Sequence, residues 1–147
     1  MPSTTDRYHL KRFVDAQEQA FDNVLTELKR GRKYGHWIWF IFPQLKGLGL
    51  SPTSEFYGIT SLDEAKAYLQ HPVLGPRLVQ CTELAIAIQS SDAEEILGQI
   101  DAMKFRSCMT LFAAADPGQR LFSQALEKYF AGEGDPLTLS YLRKEYV

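Results

Sequence analysis

The residues best suited to chemistry lie together in one stretch of the chain, residues 29–46. It holds four cations within five positions, followed by a tyrosine, a histidine and both tryptophans of the chain: Lys29, Arg30, Arg32, Lys33, Tyr34, His36, Trp37 and Trp39. Cations bind phosphate and aromatic faces stack on bases. This order predicts a nucleotide site in which Lys33 or Arg32 holds a phosphate and Trp37 or Trp39 stacks on the base. In the alternative interpretation, the cations stabilise a helix end and the tryptophans fill the core.

Polar side chains beside apolar neighbours supply the remaining candidates for contact with a ligand: Gln17, His36, Gln44 and Lys104. Burying an unpaired amide costs on the order of 1–3 kcal/mol, so Gln17 and Gln44 each need a partner, either in the protein or in a ligand. Because a histidine titrates near neutral pH, His36 is a candidate proton carrier or phosphate donor, or else a structural donor. Lys104 would bind an anion or attack a sugar carbon, unless it is an ordinary surface lysine.

The catalytic motifs with known spacing are absent from the chain, so the sequence identifies no catalytic residue. It has no Walker loop, no GxGxxG, no GxSxG and no HExxH. Two cysteines and three histidines, none closely spaced, predict no metal site. Nothing in the sequence implies a cofactor. The expected partner is a small, nucleotide-like molecule.

Composition limits the other classes of partner. A net charge of -2 over 147 residues does not favour extended nucleic acid or an anionic membrane surface. The longest apolar run, Trp37–Phe42, is far below the ~20 residues that span a bilayer. The first residues lack the apolar stretch of a signal peptide. We therefore expect a cytoplasmic monomer in which Cys81 and Cys108 are free thiols.

The element that must position these residues is a long first helix. Apolar residues recur at three- and four-residue steps and predict a helix near residues 8–30, with Gln17 inside its apolar stripe and Gly31 at its end. The turn at 31–35 is short, so residues 36–44 should fold back against this helix and meet Gln17. Periodicity leaves the run from Trp37 open between helix and strand. In a helix, Trp37 and Trp39 would point about 200° apart, whereas in a strand they would share a face.

Helical signals continue to the end of the chain. Two capping boxes, at 61–64 and 91–94, predict two short helices, and longer apolar patterns predict the others. These are expected near 72–90, with Pro72 in the first turn, 101–115, 121–130 and after Pro136. At most one short pair of β-strands is expected, around 54–60. The predicted fold class is mainly α, a single compact domain of six or seven helices over residues 7–147, preceded by a disordered N-terminus, residues 1–6.

Three stretches of the chain resemble the bacterial family called domain of unknown function 1810: LKRFVDAQ, the run that begins HWIWFIFPQ, and MKFRSCMTLF. The resemblance covers nearly the full length and implies a mainly α-helical domain of no agreed activity. Some members of that family carry the name calpastatin. Calpain inhibitors of that name are disordered repeats, whereas this chain has the composition of a folded domain.

Two blocks are also similar to the NADAR family, whose members break N-glycosidic bonds of ribose phosphates and ADP-ribosyl adducts. The blocks are TSLDEAK (60–66) and MKFRSCMTLF (103–112). NADAR has a lysine directly before the phenylalanine of the second block, where this chain has Leu111. The similarity implies an N-glycosidic hydrolase that acts on a nucleotide or an ADP-ribosyl-type ligand. The alternative hypothesis is a non-catalytic module that binds a small ligand or a protein, with the aromatic block serving as core.

Overall fold

The chain folds into a mainly α-helical domain, as predicted, and the computed structural model describes residues 6–146. Within those residues the helices are α1 (Lys11–Arg30), α2 (Ile38–Ile41), α3 (Pro52–Phe56), α4 (Leu62–Gln70), α5 (Leu74–Ala87), α6 (Ala93–Leu97), α7 (Gln99–Ala115), α8 (Leu121–Phe130) and α9 (Pro136–Tyr146). Two helices of four and five residues, α2 and α3, account for the excess over the predicted seven, whereas the short α6 is the helix predicted from the second capping box. The predicted disordered segment falls on residues 1–5, which lie outside the described residues, and on Asp6.

Helix α1 buries its apolar stripe and begins at Lys11, later than the pattern predicts. The Asp6 carboxylate accepts hydrogen bonds from the backbone N–H groups of Leu10 (2.7 Å) and Lys11 (2.8 Å). These bonds cap the first turn and hold the preceding residues outside the helix. At the other end Gly31 takes a left-handed conformation (φ 79°), which closes the helix where the sequence predicts.

Arg12, in the first turn of α1, is a buried cation that joins three parts of the chain. Its guanidinium donates to four backbone carbonyls and one carboxylate, at 2.6 to 3.0 Å: those of Tyr8, His9, Phe56, Gly58 and Glu64. In the ion pair with Glu64 the two side chains are only 6% and 2% exposed. A buried ion pair is tolerated only when its remaining donors are also bonded, and here they are.

Helix α7 lies at the centre of the domain and contacts α2, α4, α6, α8 and α9. Because neighbours surround it, its buried residues are spread around most of its circumference and include Phe105, Cys108, Leu111 and Phe112. Its first two turns, from Gln99 to about Ser107, run along the molecular surface at Ile100 and Met103. That exposed part of α7 forms one wall of the candidate site.

Helices α4 and α5 meet at a corner that requires glycine. A Cβ at Gly75 would lie 2.1 Å from the Leu69 carbonyl oxygen, a separation that no side chain tolerates. The His71 Nδ1 atom accepts from the backbone N–H groups of Val73 (3.1 Å) and Leu74 (3.2 Å) and so caps the start of α5. Helix α5 ends at Ala87 rather than near residue 90, because the next residue is extended.

The capping predictions are met in part at α4 and shifted by one residue at α6. The Ser61 hydroxyl accepts from the Glu64 N–H at 3.1 Å, which is one of the two bonds of a capping box. The Glu64 carboxylate accepts from the Thr60 N–H (3.0 Å) rather than from that of Ser61. At α6, however, the cap is Asp92 rather than Ser91. The Asp92 carboxylate accepts two backbone N–H groups, those of Glu94 and Glu95, at 3.1 and 3.2 Å.

The predicted strand pair reduces to one isolated parallel bridge between Leu45 and Ile59. In it the Lys46 N–H donates to the Ile59 carbonyl (2.8 Å) and the Ile59 N–H to the Gln44 carbonyl (2.9 Å). Part of the predicted strand segment is helix α3 instead, because the Ser51 hydroxyl caps it. Within residues 6–146, none of the helices combines the length and apolar character needed to cross a membrane.

Candidate functional site

The aromatic run adopts a single helical turn, α2, with Trp37 as the residue before it. The two tryptophans therefore point in different directions. Trp37 is 3% exposed and belongs to the core, whereas Trp39 is half-buried. The Trp37 indole N–H donates to the Glu27 carboxylate at 3.0 Å. The Trp39 indole N–H is buried and has no partner among the described residues.

Glu27, which the sequence reasoning overlooked, organises the turn between α1 and α2. One carboxylate oxygen accepts from the backbone N–H groups of Tyr34 (2.5 Å) and Gly35 (2.9 Å) as well as from Trp37. Burial alone would raise the pKa of Glu27, but these hydrogen bonds and the nearby Lys33 outweigh it and leave the pKa below its usual value. Glu27 is therefore held as an anion that shapes the turn.

Lys33 is part of the same buried arrangement. Its ammonium lies 2.6 Å from the Asp101 carboxylate on α7, and the two side chains are 6% and 20% exposed. It also contacts the Gly35 carbonyl and lies 5.0 Å from the centre of the Trp37 ring. A phosphate could reach this cation only by displacing Asp101. The structure thus uses Lys33 to fasten the turn to α7 and Trp37 to fasten it to Glu27 of α1.

Gln17 meets the aromatic run, as the short turn requires, but through a backbone group. Its side-chain N–H groups donate to the Phe40 carbonyl (2.7 Å) and the Tyr68 hydroxyl (3.1 Å), while Arg77 lies 3.4 Å from its oxygen. The residue is 1% exposed. All the polar atoms of this buried amide have partners inside the protein, so its surroundings account for it without a ligand.

His36 is exposed at the mouth of a shallow cleft of about 390 Å³ between α1 and the turn. Gln19, Asn23 and Glu27 supply the other polar side chains there, and Trp37 and Phe40 also line the cleft. This cleft is separate from the space around the other exposed candidates. The predicted role of His36 stays a prediction.

Gln44 and Lys104, by contrast, come together in one groove of about 330 Å³. We call it the α7/α9 groove, because it is bounded by the loop 44–54, the start of α7 and the start of α9. Its polar surface comes from Gln44, Ser51, Ser54, Lys104, Ser107 and Asp135. The Lys104 ammonium lies 4.8 Å from the centre of the Trp39 ring, a cation–π contact that places the half-buried tryptophan beneath it.

Large apolar side chains that are unusually exposed form the rest of the groove. They are Leu50 (90% exposed), Ile100 (69%), Met103 (63%) and Leu137 (66%), with the half-buried Leu48 between them. Single exposed apolar residues are common on protein surfaces, but several around one concavity indicate a binding surface. The sequence carries a signal for two of them, since Ile100 and Met103 lie three residues apart on α7, off its core stripe.

Two polar groups in the groove are available to a ligand. The Gln44 amide makes no hydrogen bond with the described residues, and the Lys104 ammonium pairs with none of their carboxylates. Asp135 is already engaged, because its carboxylate accepts from the Thr138 N–H (2.9 Å) and hydroxyl (2.7 Å). The arrangement offers one cation and one amide beside an apolar surface.

Gly49 allows the loop to pass close beneath these groups. A Cβ at this position would lie 2.5 Å from the Ser54 hydroxyl oxygen and 3.6 Å from the Gln44 amide nitrogen. A larger residue would therefore push the wall of the groove outward. The glycine at this position therefore serves the shape of the groove.

Comparison with known proteins places the chain in a family. A family model described as "Protein of unknown function (DUF1810)" matches residues 7–142. The chain belongs to this family. One solved structure, the crystal structure of the conserved hypothetical protein Rv1873 from Mycobacterium tuberculosis, is similar over 94% of this chain and 99% of that one. The two are 51% identical and superpose with a TM-score of 0.92.

These matches confirm the DUF1810 resemblance and supply no activity. No curated protein matches the chain. Neither the family match nor the solved structure shows a similarity to NADAR. The N-glycosidase hypothesis therefore stays a prediction, and the function has to be argued from the groove.

Proposed function

We propose that this protein is a small-ligand-binding module whose ligand occupies the α7/α9 groove. The observation that carries the proposal is the convergence of an unpaired ammonium, Lys104, and an unbonded amide, Gln44, on a concave surface rimmed by exposed apolar side chains. A groove of about 330 Å³ falls at the small end of the ~300–1,000 Å³ range of ligand sites. The proposal takes the protein as a cytoplasmic monomer.

The ligand carries a negative charge in this proposal. Lys104 is the charged group in the groove that has no bonded partner among the described residues, whereas the Asp135 carboxylate is hydrogen-bonded to Thr138. A half-buried ammonium over an aromatic face binds an anion more strongly than a fully solvated one would, because fewer waters compete. The Gln44 amide adds a neutral donor that fixes the orientation of the head group.

Binding is a better account of the groove than hydrolysis. The predicted nucleotide site names Lys33 or Arg32 for the phosphate and Trp37 or Trp39 for the base. Of these, Lys33 is paired with Asp101, and the Trp37 indole is bonded to Glu27. General acid catalysis needs a carboxyl group free to deliver a proton, and the groove's own carboxylate accepts two hydrogen bonds from Thr138. Hydrolysis would be recognised by the release of a product from the ligand.

Thermal unfolding in the presence of small anions tests the proposal. The panel contains NAD, ADP-ribose, AMP and simple carboxylates, each measured against the intact chain, Lys104→Met and Lys46→Met. Lys46 is the matched control, since it lies in the same loop region and outside the groove. A ligand at one hundred times its Kd adds about 2.7 kcal/mol of stability.

The expected result is stabilisation of the wild type and of Lys46→Met, and loss of that stabilisation in Lys104→Met. Equal stabilisation of all three proteins would mean that the groove is not the site, and no stabilisation by any compound would contradict the binding function. Chromatography of the same mixtures decides the catalytic question. Release of free base or nicotinamide, dependent on Lys104, would favour the N-glycosidic hydrolase instead.

A further inference from the structure

The chemistry of the groove wall narrows the class of ligand. Its apolar surface consists of aliphatic and thioether side chains: Leu48, Leu50, Ile100, Met103 and Leu137. No aromatic ring or guanidinium is among the described residues that line it. Proteins bind nucleobases by stacking them on such flat faces, and the Trp39 ring is covered by Lys104. The wall therefore suits a flexible aliphatic chain better than a base.

The charges in the groove point to a single anionic group. Among its described lining residues Lys104 is the one cation, and Asp135 contributes a carboxylate at the start of α9. A ligand with two or more negative charges, such as a diphosphate, would leave one of them facing Asp135 without a counter-charge, which is unfavourable. The hydroxyls of Ser51 and Ser54 are bonded to each other at 3.0 Å and add no charge.

We propose that the ligand is a medium-chain aliphatic monocarboxylate. Its carboxylate binds the Lys104 ammonium and the Gln44 amide, and its chain lies along Leu50, Ile100 and Met103. This inference rests on the proposed function, because it names the ligand of the same groove. It also gives the exposed apolar rim a partner: burial of the chain removes side chains that are 63–90% exposed from water.

The two tryptophans provide a built-in measurement for NMR. A ¹⁵N-labelled protein has two indole N–H signals, from Trp37 and Trp39. Trp37 is hydrogen-bonded to Glu27 on the other side of the turn, whereas the Trp39 ring carries the Lys104 ammonium. A carboxylate that binds Lys104 changes the electric field at the Trp39 indole and shifts its N–H signal, but leaves that of Trp37 in place. The Trp37 signal is the internal control.

The experiment titrates the full chain with hexanoate, octanoate and decanoate below their micellar concentrations, and with AMP and ADP-ribose. Octyltrimethylammonium, with a similar chain and the opposite charge, is the matched ligand control. We expect Kd to fall about three- to fourfold for each added methylene, as ~0.8 kcal/mol per buried CH₂ requires. Lys104→Met should raise Kd for octanoate about tenfold or more, and Lys104→Arg should restore most of the affinity.

The other possible results show which claim is wrong: the ligand class, the binding function or the role of Lys104. If AMP or ADP-ribose shifts Trp39 through Lys104 and the fatty acids do not, the ligand class is wrong while the binding function stands. If no compound shifts Trp39 or its surroundings in a folded protein, both proposals fall. If octyltrimethylammonium binds as tightly as octanoate, or if Lys46→Met weakens octanoate as much as Lys104→Met does, the assignment of the carboxylate to Lys104 is overturned.

Discussion

Gln17 shows how one polar residue in an apolar stripe ties two elements together. The sequence predicts that this amide contacts residues 36–44. In the structure it donates to the Phe40 carbonyl in that segment and to the Tyr68 hydroxyl of α4. What the sequence leaves open is the partner. A backbone carbonyl carries no signature in the residue types, so a pattern of side chains cannot distinguish it from a ligand.

Replacing Gln17 with leucine should therefore lower the free energy of unfolding by roughly 1–3 kcal/mol, because the Phe40 carbonyl and Tyr68 hydroxyl would be buried without partners. Urea unfolding monitored by circular dichroism measures this change. Gln19→Leu is the matched control, since Gln19 is exposed on the same helix and should change stability little. A Gln17→Leu protein as stable as the wild type would contradict the structural role and return Gln17 to the ligand candidates.

At the level of elements, the turn between α1 and α2 is fixed by charges rather than by apolar packing alone. Glu27 holds the backbone of residues 34–35, and Lys33 joins the same turn to Asp101 of α7. The cations that look like a phosphate site in the sequence include a residue that is already neutralised in the fold. Lys33 is therefore engaged within the protein, and the predicted role of the basic-aromatic stretch in binding a ligand stays a prediction.

Glu27 makes stability depend on pH in a defined direction. Its pKa in the folded protein lies below the usual value of 4.5, so its contribution is fully present above that value and is lost as the pH falls through the lower, folded pKa. We expect Glu27→Gln to be less stable than the wild type at neutral pH. The gap between their free energies of unfolding should narrow below pH 4.5. Urea titrations at several pH values measure the gap. A gap that is constant with pH would contradict the lowered pKa.

Much of the helical framework was predictable from the sequence, because periodic apolar residues and capping side chains are local signals. The boundaries of α4, α7 and α8 follow such signals closely. Helix α2 and the groove were not predictable in the same way. An unbroken apolar run shows no hydrophobic periodicity that would distinguish a helix from a strand. In the groove, Leu50, Ile100 and Leu137 meet only because distant segments of the chain pack together.

The whole molecule encloses both cysteines in its core. Cys81 and Cys108 are free, and each is buried. Burial raises the pKa of Cys81 to about 12 and that of Cys108 well above its ordinary value. Since the thiolate is the reactive form, both thiols should be inert as long as the domain stays folded.

Alkylation in the absence of reductant, followed by mass spectrometry, tests whether the thiols are inert in the folded protein. The native protein should remain unmodified over the time in which the denatured protein takes up two alkyl groups, because modification requires opening of the core. Rapid alkylation of the native protein would show that a thiol is accessible. A denatured protein that takes up none would indicate a disulfide.

The buried hydrogen bonds of the Arg12 guanidinium limit where the protein can be shortened or fused to another protein. Two of its five acceptors, the carbonyls of Tyr8 and His9, precede the first helix, and Asp6 fixes the first turn from still farther upstream. A chain shortened to begin at Leu10 would leave part of a buried guanidinium without acceptors, although no fully buried apolar residue had been removed. Purification tags and fusion partners therefore belong before Asp6, with the segment from Asp6 to His9 left intact.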